Sequence, residues 1–170
     1  MNRKYEFTGE EKLFYGRTLK RIKAKISFGN VVQGEVGGWI EKEENLSEYD
    51  DAWVYGNAEV YGNAEVYGNA EVYGNAEVYG NAKVCGDAEV CGDAWVIKTR
   101  HTISFTKVGS RNDTLTAFRT KTGFSIKIGC FLGSLELFLE KVQETHGDNQ
   151  FAKEYRLIAE VIKARFEVEE

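Results

Sequence analysis

Arg111, Asn112 and Asp113 stand side by side between two strand-like runs, and they are the first residues in the chain whose types suggest chemistry. A guanidinium beside turn amides suits a phosphate or a carboxylate, because its planar fork meets two oxygens at once. The same trio also makes an ordinary hairpin loop, since Asn and Asp are strong turn formers. Further on, Cys130 and His146 have the types of a thiolate and its base, provided the fold brings them together. The plainer account makes Cys130, between Gly129 and Phe131, a small buried hydrophobe, and His146 a last-turn helical residue facing the carbonyl end. A third set is acidic: Glu59, Glu65 and Glu77 recur at multiples of six and would project from a regular wall as binding residues. The sequence holds no metal constellation, no phosphate loop and no complete catalytic set, so no catalytic residue, metal or cofactor is expected.

What positions these residues is a repeat. From Asp51 to Val96 the phrase Ala-x-Val-x-Gly-Asn/Asp recurs in eight consecutive copies, with Ala at 52, 58, 64, 70, 76, 82, 88 and 94 and Val two residues after each. In an extended chain the Ala and Val side chains point one way, and the residues flanking each Val point the other. Gly-Asn then supplies a permissive corner. A single phrase cannot bury its own Val and Ala, whereas stacked phrases can.

The phrase resembles the hexapeptide repeat of left-handed parallel β-helices, in which a branched aliphatic residue is followed four positions later by a small one, as Val54 is by Ala58. The resemblance implies a triangular prism in which residue i lies under residue i+18. Val54 would then stack on Val72 and Val90, Tyr61 on Tyr79, Asn63 on Asn81, Glu65 on Lys83 as an attractive pair, and Glu71 on Glu89 as a repulsive one. The stretch from Gly37 to Ser47 resembles the lead-in of short bacterial and prophage hexapeptide-repeat proteins, and it is expected to close the open end of the prism. In the tail, the phrases 109–115, Gly129-Cys130-Phe131 and 145–149 resemble a C-terminal block of the same group. That block implies an arrangement and a phage context, with no mechanism attached.

Outside the repeat, Thr18 to Phe28 alternates apolar and basic residues and predicts a strand, ending at a Gly29-Asn30 turn. Residues 101–108, 114–120 and 124–128 predict three more strands. Ser134 is the expected N-cap of a helix that carries Leu135, Phe138, Leu139 and Val142 on one face and ends at Gly147. Asp148 or Asn149 would cap a second helix with Phe151, Tyr155, Ile158, Ile162 and Phe166 on its inner face. The expected fold is mainly β: a lead-in over 1–44, a short left-handed parallel β-helix over 45–97, and a small α+β domain over 98–170.

Charge is uneven along the chain. Between 41 and 96 stand thirteen acidic and two basic residues, a net charge of minus eleven, while 1–40 carries plus four and 97–170 plus two. An acidic rod repels nucleic acid and attracts basic clefts. The N-terminal residues lack the apolar core of a secretory signal, and no apolar run is long enough to cross a membrane. Cys85 and Cys91, one hexad apart on adjacent outer faces, are not placed to bridge. A cytoplasmic protein is expected, in the host cytoplasm if phage-encoded.

These readings favour a non-enzymatic phage-type effector that binds and inhibits a host factor, such as a defence nuclease. Its means would be the acidic wall or capture of a small anionic ligand in the terminal domain. A structural module is the alternative, and the resemblance implies a homo-oligomer, most commonly a trimer built by packing prisms side by side. Acyl transfer, the familiar activity of hexapeptide-repeat proteins, usually needs a base in a cleft between prisms. The array contains no His, and His101 and His146 both follow it.

Overall fold

The computed structural model describes residues 1–167. A hairpin comes first, β1 (Tyr5–Phe14) running antiparallel to β2 (Arg17–Ala24) around a Tyr15-Gly16 turn, and β3 (Val36–Ile40) pairs antiparallel with β2. Eight two-residue strands follow. They are β4 (Trp53–Val54), β5 (Glu59–Val60), β6 (Glu65–Val66), β7 (Glu71–Val72), β8 (Glu77–Val78), β9 (Lys83–Val84), β10 (Glu89–Val90) and β11 (Trp95–Val96). All pair in parallel with strands one coil away, which makes a β-solenoid of about three turns.

The inner columns run Ile40-Val60-Val78-Val96, Leu46-Val66-Val84 and Val54-Val72-Val90, and every member is 1% exposed or less. Burying one such side chain contributes about 1.5–3 kcal/mol, so the stack is held by its repetition and by no single contact. Each corner needs a left-handed backbone, and the hexad glycines from Gly56 to Gly92 supply it with φ between 55° and 69°. Outside the corners, Asn63 donates to Asn81 at 3.2 Å and Asn69 to Asp87 at 3.0 Å, the side-chain ladders that an 18-residue stack creates.

Parallel stacking begins earlier than the hexads do. Trp39 and Ile40 pair with Glu59 and Val60, and Leu46 bridges Val66, both at an offset of twenty. The lead-in is therefore a rung of the solenoid, and the end itself is covered by Tyr5, Ile22, Ala24 and Val31, which belong to the same apolar cluster. Two buried polar side chains complete that end. Asn45 accepts from the amides of Glu41 and Lys42 and donates to the carbonyls of Gly62 and Ala64, and the Lys4 ammonium donates to the carbonyls of Ala52 (2.8 Å) and Tyr49 (3.3 Å).

The strand expected over Thr18–Phe28 stops at Ala24, and Ile26 is about half exposed. The terminal domain has one strand more than expected. An antiparallel meander of β12 (Thr102–Val108), β13 (Asp113–Thr120), β14 (Gly123–Ile128) and β15 (Phe131–Gly133) is packed by α1 (Leu135–His146) and α2 (Gln150–Phe166). Ser134 caps α1 by accepting from the Leu137 amide, and Asn149 caps α2 by accepting from Phe151 and Ala152.

Strand β13 joins the two regions. Its alternate residues Leu115 and Ala117 face the helices, while Phe118 enters the solenoid core and Thr116 accepts from the amide of Glu89. Packing on both sides accounts for the unbroken burial from Leu115 to Phe118, and the buried Thr116 hydroxyl is satisfied by the Glu89 amide.

Candidate functional site: a groove in the terminal domain

Of the residues flagged by type, one set is gathered by the fold and another is neutralised by it. Arg111 and Asp113 lie where β12 turns into β13, Cys130 where β14 turns into β15, and His146 on the last turn of α1. All four line a single groove of about 450 Å³, together with Lys141 of α1. Its floor is apolar, made by Ile128, Phe131, Phe138 and Val142. An apolar floor with a few convergent polar groups is the usual composition of a small-molecule site.

Local physics holds the rim. Asn112 shapes the turn instead of lining the groove: it is exposed, has φ 53°, and donates its amide to the carbonyl of Gly109 at 3.4 Å. At Gly109, with φ 69°, an added Cβ would lie 1.6 Å from the Tyr155 hydroxyl, so only glycine lets α2 approach this loop. The amide of Gly109 donates to Glu154, and the backbone of Ser110 hydrogen-bonds the Tyr155 hydroxyl. Burial, with the carboxylates of Glu154 and Asp113 nearby, raises the Tyr155 pKa and keeps it a neutral phenol. The His146 ring packs against Phe151 and Tyr155, with centroids 5.7 Å from each. Cys130 is exposed, not buried as a small hydrophobe would be.

Chemically, the groove offers a guanidinium, a carboxylate, an imidazole, a thiol and the ammonium of Lys141, which also pairs with Glu144 at 3.0 Å, above apolar carbon. Arg111 and Lys141 suit an anionic head, and the floor suits an apolar or planar body.

The acidic wall is a different case. Glu59 is 7% exposed and forms an ion pair with Lys12, whose ammonium also lies 4.6 Å from the Trp39 ring centroid. Glu77 takes Lys121 at 3.1 Å and the Tyr61 hydroxyl at 3.4 Å. Glu65 meets Lys83 at 3.5 Å, as the stacking implies, and keeps nearly half of its side chain in solvent. The expected repulsion between Glu71 and Glu89 is also relieved. Tyr55 donates to Glu71, and Glu89 receives Tyr73 at 2.8 Å and Lys127 at 3.1 Å.

Cys91 departs from its expected outer position in one respect: the terminal domain covers it, leaving it 1% exposed, while Cys85 is open. His101 is buried just below the last rung, where its Nδ1 accepts from the Ile97 amide at 3.2 Å. Among the described residues, no cluster of three or more His, Cys, Asp or Glu is arranged to hold a metal, and no helix is long and apolar enough to cross a membrane.

Sequence reasoning missed Lys141 in the groove, and Lys12, Lys121 and Lys127 as partners of the wall. A lysine on an exposed helical or hairpin position carries no signal of its destination. The Tyr15-Gly16 turn gives no signal either, because Tyr-Gly also stands in five hexads and tyrosine is uncommon at the positive φ of 46° that it adopts here.

No protein-family model matches the chain, and no curated protein matches it.

Proposed function

We propose that the chain is a non-enzymatic effector of phage type that acts in the host cytoplasm by binding and blocking a host factor, with the groove of the terminal domain as its point of capture. The reading takes the solenoid to be a left-handed coil of the hexapeptide-repeat class. The single observation that carries the capture site is convergence: Arg111, Asp113, Cys130 and His146, spread over 36 positions of sequence, line one groove with Lys141. The ligand class is a small anion with an apolar or planar body, either free or presented by the host factor. Because Glu59 and Glu77 are already paired with lysines, the acidic wall is the weaker of the two capture surfaces.

Native mass spectrometry of the protein isolated from bacterial lysate tests this. A bound mass that persists in Glu65→Gln and is lost in Arg111→Ala and His146→Ala is the expected result. Loss in Glu65→Gln with retention in the groove variants would move capture to the wall. Retention in all three would end the effector reading. Saturable binding of coenzyme A that adenosine monophosphate does not compete away would reopen acyl transfer.

A second reading, as a structural trimer, is favoured by one face of the solenoid. Around β6 and β9 the outward residues Glu65, Tyr67, Lys83 and Cys85 are exposed, whereas the hairpin lies over the neighbouring face. Light scattering at micromolar concentration decides it, a trimeric mass supporting it and a monomeric mass removing it.

A further inference from the structure

One flank of the solenoid carries a second cavity, lined by none of the residues that line the terminal groove. Along it Tyr61 and Tyr79 stack face to face, with centroids 4.8 Å apart and planes 5° from parallel, and the Trp95 ring lies 6.2 Å beyond Tyr79. The hairpin turn stands beside this aromatic run: Phe14 meets Tyr61 edge-on at 5.7 Å, and Tyr15, 79% exposed at φ 46°, borders the open space. The space measures about 450 Å³, and a smaller hollow of about 240 Å³ continues it past Arg17, Tyr61 and Tyr79 toward the Asn63 and Asn81 corners.

Three separate elements contribute to the trough. Arg17 comes from the hairpin, the rings and Glu77 from the hexads, and Lys121 from the turn between β13 and β14. Both cations keep donors in reserve. Arg17 uses one nitrogen, Nη1, on the two oxygens of Glu41 at 3.0 Å, and Lys121 uses its ammonium on Glu77 at 3.1 Å, while the two side chains are 46% and 60% exposed.

We propose that this trough is a binding site for a purine mononucleotide. The base lies in the open space against the exposed Tyr15 ring and the Trp95 end of the aromatic run, as bases do on exposed aromatic rings. The phosphate lies between Arg17 and Lys121, whose spare donors suit its oxygens. The Glu77 carboxylate accepts from Lys121 and Tyr61 and has lone pairs left for an amino group such as those of adenine and guanine. A neutral sugar would use the rings and leave the spare donors of both cations unused. Inorganic phosphate would use the cations and leave the rings idle. A nucleotide uses both.

Isothermal titration of the full chain with adenosine and guanosine monophosphates, adenosine and inorganic phosphate tests the assignment. At least one of the two purine monophosphates is expected to saturate below about 1 mM, with adenosine about tenfold weaker and phosphate alone giving no saturation. Tyr15→Ala, at an exposed turn, and Lys121→Gln are each expected to weaken binding about tenfold, with Arg111→Ala unchanged. Thermal melts of both trough variants check that the fold is retained. No saturation by either purine monophosphate, equal affinity for adenosine, or insensitivity to both trough variants would overturn the proposal. Nucleotide binding lost only in Arg111→Ala would also overturn it, while placing the nucleotide in the terminal groove and leaving the capture reading intact.

Discussion

In the solenoid most outward side chains meet a near-copy of themselves one coil away, Tyr61 on Tyr79, Asn63 on Asn81, Glu71 on Glu89. In the terminal domain unlike residues from distant positions meet, and Arg111, Cys130, Lys141 and His146 share one groove. Repetition makes a scaffold whose strength is distributed and whose surface is uniform. Convergence makes a place, because a binding site needs several different groups at one point. The two regions should therefore respond differently to damage.

The largest expected effect is Val72→Asp, which puts a carboxylate between Val54 and Val90 in a column with no exposed member. Folding should be abolished, seen as loss of the cooperative thermal transition. Glu71→Gln, one residue away on the outer side, should shift stability by no more than about 0.5 kcal/mol. Equal thermal stabilities for the two variants would break the division into an obligatory interior and a tolerant wall.

Phe118→Ala comes next, because that ring belongs to the solenoid core although it is borne by the terminal sheet. A cost of about 3–5 kcal/mol is expected, read from urea midpoints. Gly109→Ala attacks the terminal domain alone, through the clash with Tyr155 and the positive φ, and about 1–3 kcal/mol of strain is expected. Hydrogen exchange should then accelerate in α2 and leave the hexads protected. Acceleration in both regions would show that they unfold as one unit.

The last expected effect is a pH dependence at the N-terminal end. Burial lowers the Lys4 pKa to about 8, against smaller opposing contributions from Asp51 and Asp50. A lysine with a lowered folded pKa destabilises the fold while it is charged, and that penalty is relieved as pH rises from about 8 toward the unfolded value near 10.4. Relative to Lys4→Met, the wild-type chain should gain stability between pH 7.5 and about 9.5, before tyrosines in the unfolded chain ionise. A constant difference between the two proteins across that window would count against it.

The solenoid was legible because its period carries the whole argument: once residue i lies over residue i+18, Glu65 must face Lys83 and Val54 must face Val72. The first strand was not legible. Its stretch Thr8-Gly9-Glu10-Glu11 is polar and exposed, and its pairing shifts register between Phe7 and Glu11, so no alternation survives in the sequence. At the groove, Arg111, Asp113, Cys130 and His146 were visible by type, but their meeting depends on how β14, β15 and α1 fold back on the β12–β13 loop. The lysines that quench Glu59 and Glu77 lie 47 and 44 residues away from them, where no local pattern reaches.

The offset of eighteen has a consequence for copy number. The hexads are so alike that gain or loss of one copy would leave the interior intact. It would nevertheless turn everything after it by roughly a third of a revolution about the solenoid axis. Arg17 and Lys121 would then sit over different faces, and the trough would open. Copies gained or lost in threes restore the facing and change only the distance between the two cations. Length variants in nature should accordingly keep both ends of the trough on one face when they differ by multiples of three hexads, and lose it otherwise.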